Sequence, residues 1–152
     1  MPNSRIEVRP AALADIDALA GLLSILFAQE ADFIPDTKRQ AQALRLIINQ
    51  PDVGQILCAT DEAGIVGMVS ILFTVSTAEG GRAAWLEDMV VRPDKRKQGI
   101  GVQLLNAAIR DAQNAGCRRI ALLTDAANDA AMRFYQRTGF VRSQMIPFRL
   151  HF

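Results

Sequence analysis

The residues with the plainest chemical use lie in one short string, Arg96-Lys97-Gln98-Gly99-Ile100-Gly101. Two glycines one residue apart let the backbone approach a ligand closely, and a helix starting there leaves its first amides unpaired. Those amides and the positive helix end suit an anion such as a pyrophosphate. Lys95, Arg96 and Lys97 add charge beside them. The same string also fits a solvated surface turn. The common nucleotide motifs do not decide between the two: the third glycine of a dinucleotide fingerprint would fall at Leu104, and the Gly-Lys-Ser/Thr ending of a P-loop is absent.

Other groups with chemical potential are scattered. Glu87 and Asp88 are adjacent carboxylates inside an apolar run, and burial would raise their pKa toward neutrality, the direction a general base needs. Tyr135 is the sole tyrosine, and His151, the sole histidine, sits near the end of the chain, where a surface or interface role is expected. Glu30, Asp32 and Phe33 could receive a cationic amine, although a polar interhelical loop has the same composition. Cys58 and Cys117 form no CxxC pair and have no histidine cluster near them, so both read as reduced structural thiols and no metal site is expected.

The elements that must position these groups follow from periodicity. Arg5 to Arg9 reads as a strand stopped by Pro10, and Leu13 to Gln29 as a helix with Ile16, Leu19, Leu23, Leu26 and Phe27 on one stripe. Asp36 caps a second helix through Leu44, Ile47 and Ile48, ending before Pro51. Gln55 to Thr60, Ile65 to Val75 and Ala83 to Arg92 form an antiparallel meander. In the last of these, Trp85, Met89 and Val91 have one parity and Leu86 and Val90 the other, which predicts a central strand covered on both faces. A helix from Gly99 closes at Gly116, and Ile120 to Leu123 returns parallel in a β-α-β unit. A final helix runs from Asn128 or Asp129 to Gly139, and Phe140 to Arg142 and Met145 to Leu150 are expected as closing strands.

Arg96-x-x-Gly99-x-Gly101 resembles the Arg/Gln-x-x-Gly-x-Gly/Ala signature of the GNAT superfamily of N-acetyltransferases. Leu86-Glu87-Asp88-Met89-Val90-Val91-Arg92-Pro93 is similar to that family's central strand, with local similarity to the diamine acetyltransferases. Asn128 through Phe134-Tyr135-Gln136-Arg137-Thr138-Gly139-Phe140 is similar to its final helix-to-strand motif. The similarity is strong from Trp85 to Phe140. The resemblance implies an α/β fold: a mixed sheet of six or seven strands, splayed between its central parallel strands, with about four flanking helices.

The resemblance also implies the chemistry. Acetyl-CoA would bind at the splay, its pyrophosphate on Arg96, Lys97, Gln98, Gly99, Ile100 and Gly101, and its pantetheine arm along Met89, Val90 and Val91 like an added strand. A backbone N–H near Met89 or Val90 would hold the thioester oxygen. Acyl transfer to an amine needs a base, support for the oxyanion and a proton for the departing thiolate. Glu87 is the first candidate for the base and Asp88 its rival; Tyr135 would protonate the sulfur. Asn128 caps the last helix and, in the family, often contacts the coenzyme. No Cys or Ser stands in the setting of an assisted nucleophile, so the amine is expected to attack directly in a ternary complex.

Composition bounds the remaining classes. The chain has 152 residues, 50% hydrophobic and 22% charged, with 17 Lys and Arg against 16 Asp and Glu for a net charge of +1. One acetyltransferase domain over residues 1–152 is expected, without the charge excess of a nucleic-acid binder or a span long enough for a membrane. The opening Met1-Pro2-Asn3-Ser4-Arg5 lacks a secretory pattern, so a cytoplasmic setting is expected. The acceptor is read as a primary amine of a small molecule. The alternatives are a protein N-terminus or lysine, or a non-catalytic domain that senses acetyl-CoA or binds a partner. The resemblance suggests a homodimer, with Met145 to Leu150 as a candidate contact.

Overall fold

The strand-forming segments become β1 (Glu7–Pro10), β2 (Gly54–Asp61), β3 (Gly64–Ser76), β4 (Gly81–Val91) and β5 (Ile120–Leu122), neighbours in that order in one mixed sheet. The computed structural model describes residues 4–30 and 32–152, so the first three residues and Ala31 lie outside the description. β1 to β4 pair antiparallel, and β5 joins β4 in parallel. Its entry through an intervening helix is the crossover that parallel pairing requires.

Four α-helices flank the sheet: α1 (Ile16–Gln29), α2 (Thr37–Asn49), α3 (Ile100–Asn114) and α4 (Asp129–Arg137). The expected cap of α2 is present: Asp36 Oδ1 accepts the amides of Lys38 and Arg39, each at 3.1 Å. Buried Gln40 ties α2 to α1, donating to the Ala20 carbonyl and to Ser24 Oγ, both at 2.9 Å. Gly116 closes α3 with φ 83°, a left-handed turn that glycine adopts without strain.

Two apolar layers form, one on each face. Leu57, Val66, Val69, Ile71, Ala84 and Leu86 pack with Ile100, Leu104, Leu105 and Ala108 of α3. Ile56, Cys58, Met68 and Val90 pack with Ile16, Leu19, Leu22 and Leu23 of α1 and Leu44 of α2. Leu86 and Val90 therefore lie on opposite faces, although simple alternation would put them on one. The reason is a bulge. Met68 faces Val90 and Ser70 faces Glu87, so Asp88 and Met89 together oppose Val69 alone. One extra residue reverses the parity beyond it.

The expected strands at Phe140 to Arg142 and Met145 to Leu150 do not form, and the sheet has five strands rather than six or seven. Residues 141–152 are exposed and carry no regular structure. An extended segment becomes a strand only when its backbone finds a ladder partner, and among the described residues no strand pairs with these. Among the described residues, no helix is long and apolar enough to cross a membrane.

Candidate active site

The two central parallel strands separate early. β5 pairs with β4 only at Ala84–Leu86, so from Glu87 to Val91 no strand among the described residues pairs with that side of β4. Met89, Val90 and Val91 occupy this free half, and the bulge at Asp88 and Met89 adds a locally unpaired residue there. The opening is a splay between strands that stay paired at one end.

The glycine turn lies immediately beyond β4. A short 3-10 turn at Pro93–Lys95 leads to Lys97, with φ 62°, and Gly99, with φ 79°, before α3 begins at Ile100. The left-handed backbone explains glycine at 99. Gly101 has a different reason. A Cβ built there would meet only the Phe134 ring, at 3.5 Å, an ordinary contact, so internal packing does not demand glycine. What its missing side chain leaves clear is the approach to the first turn of α3.

The basic residues around the turn divide into two groups. Arg92 is paired with Asp94, its Nε 2.9 Å from Oδ1. Lys95 Nζ lies 2.8 Å from Asp61 Oδ2, and that carboxylate side chain is only 2% exposed. The Lys95 ammonium, with help from the Ala63 amide, holds the Asp61 carboxyl below the usual carboxylate range. Lys95 thus serves the turn as an anchor, unlike its reading as a ligand-facing charge. Arg96 donates Nε to the Val91 carbonyl at 3.1 Å, and Arg96 and Lys97 are both exposed beside the helix start.

Glu87 and Asp88 stand at the bulge. Ser70, buried at 1% exposure, donates its hydroxyl to Asp88 Oδ2 at 3.4 Å. Burial pushes the Asp88 carboxyl up in pKa, against the lowering effect of its own backbone amide and Ser70. Glu87 has an exposed surface, yet the walls of the splay still strip enough water to push its pKa up, with Asp88 adding to the effect and Arg149 opposing it. Glu30, at the end of α1, is likewise raised by burial and by the negative charges of Asp88, Asp125 and Glu87. Four carboxylates therefore share one electrostatic neighbourhood.

Tyr135 completes that neighbourhood from α4. Its ring packs edge-on against Phe134 and Phe140, at 5.2 and 5.7 Å between centroids. Burial, followed by the charge of Glu30, pushes its phenol up to about 12, so it carries its proton at neutral pH. Asn128 is where a cap belongs, its Oδ1 accepting the Ala131 amide at 3.0 Å. Cys58 is fully buried and burial raises its thiol pKa, as it does for half-buried Cys117, the opposite of what activates a nucleophile.

Of the residues expected around one opening, Glu87 and Met89 to Val91 lie on the free half of β4, and the glycine turn follows it directly. The α4 helix brings Tyr135 against the layer that includes Met89 and Val91, with the Phe134 ring beside Gly101; Asn128 shows only its capping bond. Glu30 joins Glu87 as the acceptor-side reading allowed, whereas Asp32 and Phe33 face Arg149 instead: its Nη1 is 2.8 Å from Asp32 Oδ2, and its guanidinium is 5.5 Å from the Phe33 ring centroid. Asp125, Asp61, Ser70 and Arg149 were not singled out. Each matters through long-range contact, and a lone polar residue in a loop or strand carries no local pattern. Among the described residues, no group of three or more His, Cys, Asp or Glu could hold a metal ion.

Comparison with known proteins settles the family. The model of the acetyltransferase (GNAT) family matches residues 20–140. The chain belongs to the GNAT acetyltransferase family. This acetyltransferase is 31% identical over 137 residues to the aminoalkylphosphonate N-acetyltransferase of Salmonella typhimurium, covering 90% of the chain and 86% of that protein. It is 34% identical over 92 residues to the L-methionine sulfoximine/L-methionine sulfone acetyltransferase of Pseudomonas aeruginosa, covering 60% of the chain and 54% of that protein. The acetyltransferase fold is shared by a solved aminoglycoside N-acetyltransferase in complex with CoA, at TM-score 0.84 and 21% identity, covering 99% of the chain and 98% of that structure. The acetyltransferase is accordingly an acyl-transferring enzyme acting on an amine.

Proposed function

We propose that this acetyltransferase moves an acetyl group from acetyl-CoA to a primary amine of a small molecule, by direct attack in a ternary complex. The observation that carries the reading is the gathering of Glu30, Glu87, Asp88 and Asp125 with Tyr135 at the mouth of the β4–β5 splay. Negative charge there favours a cationic ammonium, and the adjoining free half of β4 can receive an extended acyl-pantetheine arm.

Each residue then has a task. The amides of Gln98 to Gly101, with Arg96 and Lys97, hold the pyrophosphate, and Gly101 leaves room for it. The arm lies along Met89, Val90 and Val91, where a backbone N–H supports the developing oxyanion. Asn128, which caps α4 through the Ala131 amide, would also contact the arm.

A bound ammonium must lose a proton before it can attack, since an alkylamine has a pKa of about 10.4. Glu87, raised in pKa by burial, takes that proton directly or through water. The nitrogen bonds the acetyl carbon to give a tetrahedral oxyanion. On its collapse the carbon–sulfur bond breaks, Tyr135 gives its phenolic proton to the departing thiolate, and the second proton shed by the attacking nitrogen returns through water to restore the phenol. The high phenol pKa keeps that proton available throughout the neutral range.

Two named relatives act on small-molecule amines, which is the acceptor class assigned here. The test is CoA thiol release from acetyl-CoA with a panel of amino acids, aminoalkylphosphonates, polyamines, aminoglycosides and peptides. Saturable release with at least one small amine is expected. Release with peptides alone would move the acceptor to proteins, and micromolar coenzyme binding with no release at all would contradict the catalytic reading.

A further inference from the structure

Arg149 is a cation set among the carboxylates of the acceptor side. Burial and the charges of Asp88, Asp125 and Glu87 raise Glu30, burial and Asp88 raise Glu87, and among the described residues the charge that opposes both is Arg149. An acceptor that is cationic throughout would meet repulsion from this guanidinium. An amine with an anionic group would find both of its charges answered.

The guanidinium is also well placed. Its centre lies 5.5 Å from the Phe33 ring centroid, and the Phe33 ring lies 5.4 Å from that of Phe27, which packs against the core layer of α1 and α2. Arg149 Nη1 donates to Asp32 Oδ2 at 2.8 Å, while Nε and Nη2 make no hydrogen bond among the described residues. A planar fork with donors to spare matches a carboxylate or phosphonate at two points. The Asp32 side chain is 70% exposed, so this ion pair adds little to stability and opens readily to a competing anion. Glu30, Asp32 and Phe33 all belong to the link that follows α1, which brings the guanidinium to the acidic groups of the site.

We infer that Arg149 seats an anionic group of the acceptor, which is therefore a small amine that also carries a carboxylate or phosphonate. Its ammonium lies toward Glu30 and Glu87, and its anion takes the free donors of Arg149, with Asp32 as the competitor for the same guanidinium. The inference rests on the acetyl transfer to a small amine proposed above and narrows its acceptor class. The phosphates of the coenzyme have cations of their own in Arg96 and Lys97, exposed beside the start of α3.

The test is CoA release from acetyl-CoA with amino acids, aminoalkylphosphonates, the matched carboxamides and phosphonate diesters, and diamines, for the wild type, Arg149→Gln and Asp32→Asn. The two side chains are 44% and 70% exposed, so both variants should fold and keep the wild-type Tm. The wild type should favour the best anionic amine over its uncharged counterpart by about tenfold in kcat/KM, the effect of one charge-assisted pairing. Preference for either anionic series supports the proposal, and the faster series names the anion. Arg149→Gln should remove most of that preference, through KM rather than kcat. Asp32→Asn should sharpen it, because the guanidinium loses its competitor. A merely structural tie between Asp32 and Arg149 would make the two variants behave alike. Equal use of the anionic amine and its uncharged counterpart, a preference that survives Arg149→Gln, or a KM that rises alike in both variants would overturn the proposal and leave acetyl transfer to a small amine standing. No release with any acceptor of the panel would overturn both readings together.

Discussion

Lys95 Nζ lies 2.8 Å from Asp61 Oδ2, which ties the glycine turn to the β2–β3 hairpin at the same end of the sheet. With the Arg96 bond to the Val91 carbonyl and the buried Ile100 side chain, this pair helps fix the turn before α3. Asp61→Asn should raise the KM for acetyl-CoA several-fold and leave kcat nearly unchanged, the pattern of lost coenzyme positioning. Because Lys95 holds the Asp61 carboxyl below its ordinary range, the pair persists at neutral pH and is lost only as acid protonates Asp61. Steady-state kinetics with varied acetyl-CoA read the effect.

The two glycines of the turn should respond differently to alanine. At Gly99, φ 79° imposes strain on any side chain, and Gly99→Ala should cost about 1–2 kcal/mol of stability in thermal unfolding. Gly101→Ala meets only an ordinary contact with Phe134, so its Tm should hold. Its coenzyme Kd should rise about tenfold, roughly 1.4 kcal/mol, because the added methyl occupies the clearance for the pyrophosphate. Calorimetry of the two variants separates folding from binding.

Tyr135→Phe keeps the ring that packs on Phe134 and Phe140 and removes the proton. It should lower kcat by about 10²-fold with unchanged coenzyme affinity. Unaltered turnover would remove Tyr135 from the chemistry.

Glu87 and Asp88 are distinguished by their surroundings. Glu87 opens to the splay, whereas Asp88 is held by Ser70, so Glu87→Gln should lower kcat by about 10²-fold and Asp88→Asn far less. Asp88 also has a stability signature. Its folded pKa is raised, so the native state binds the proton more tightly than the unfolded chain, and stability falls as pH rises from the ordinary aspartate pKa through the folded value. Above that value the buried charge is a constant cost, and Asp88→Asn should gain about 1 kcal/mol there, roughly 2–4 °C in Tm. The gain should vanish in acid.

The legible parts of this protein were those governed by local chemistry. Asp36 and Asn128 cap helices through their own next residues, and Gly99 and Gly116 show left-handed backbone where punctuation predicted turns. The meander and the parallel return of β5 followed from strand periodicity and connection rules. The bulge at Asp88 and Met89 was hidden because either parity of β4 is apolar, so a one-residue offset leaves no mark in the pattern. Residues 141–152 show the opposite failure: Ile146, Phe148 and Leu150 alternate as a strand should, but pairing depends on a neighbouring strand, and among the described residues none pairs with them. In the site, the motif residues were readable, while Asp61 and Arg149 act through contacts 34 residues away at Lys95 and 117 residues away at Asp32, which no local spacing reveals.

The central claim is that one site at the β4–β5 splay holds coenzyme and amine together and transfers the acetyl group in a single displacement. Initial velocities measured with acetyl-CoA and the best amine varied against each other address it most directly. Intersecting double-reciprocal lines, with no acetylated enzyme in the intact mass after incubation with acetyl-CoA alone, are the predicted result. Parallel lines with a mass increase of one acetyl group on the enzyme would contradict the account, because they require a covalent carrier on the chain.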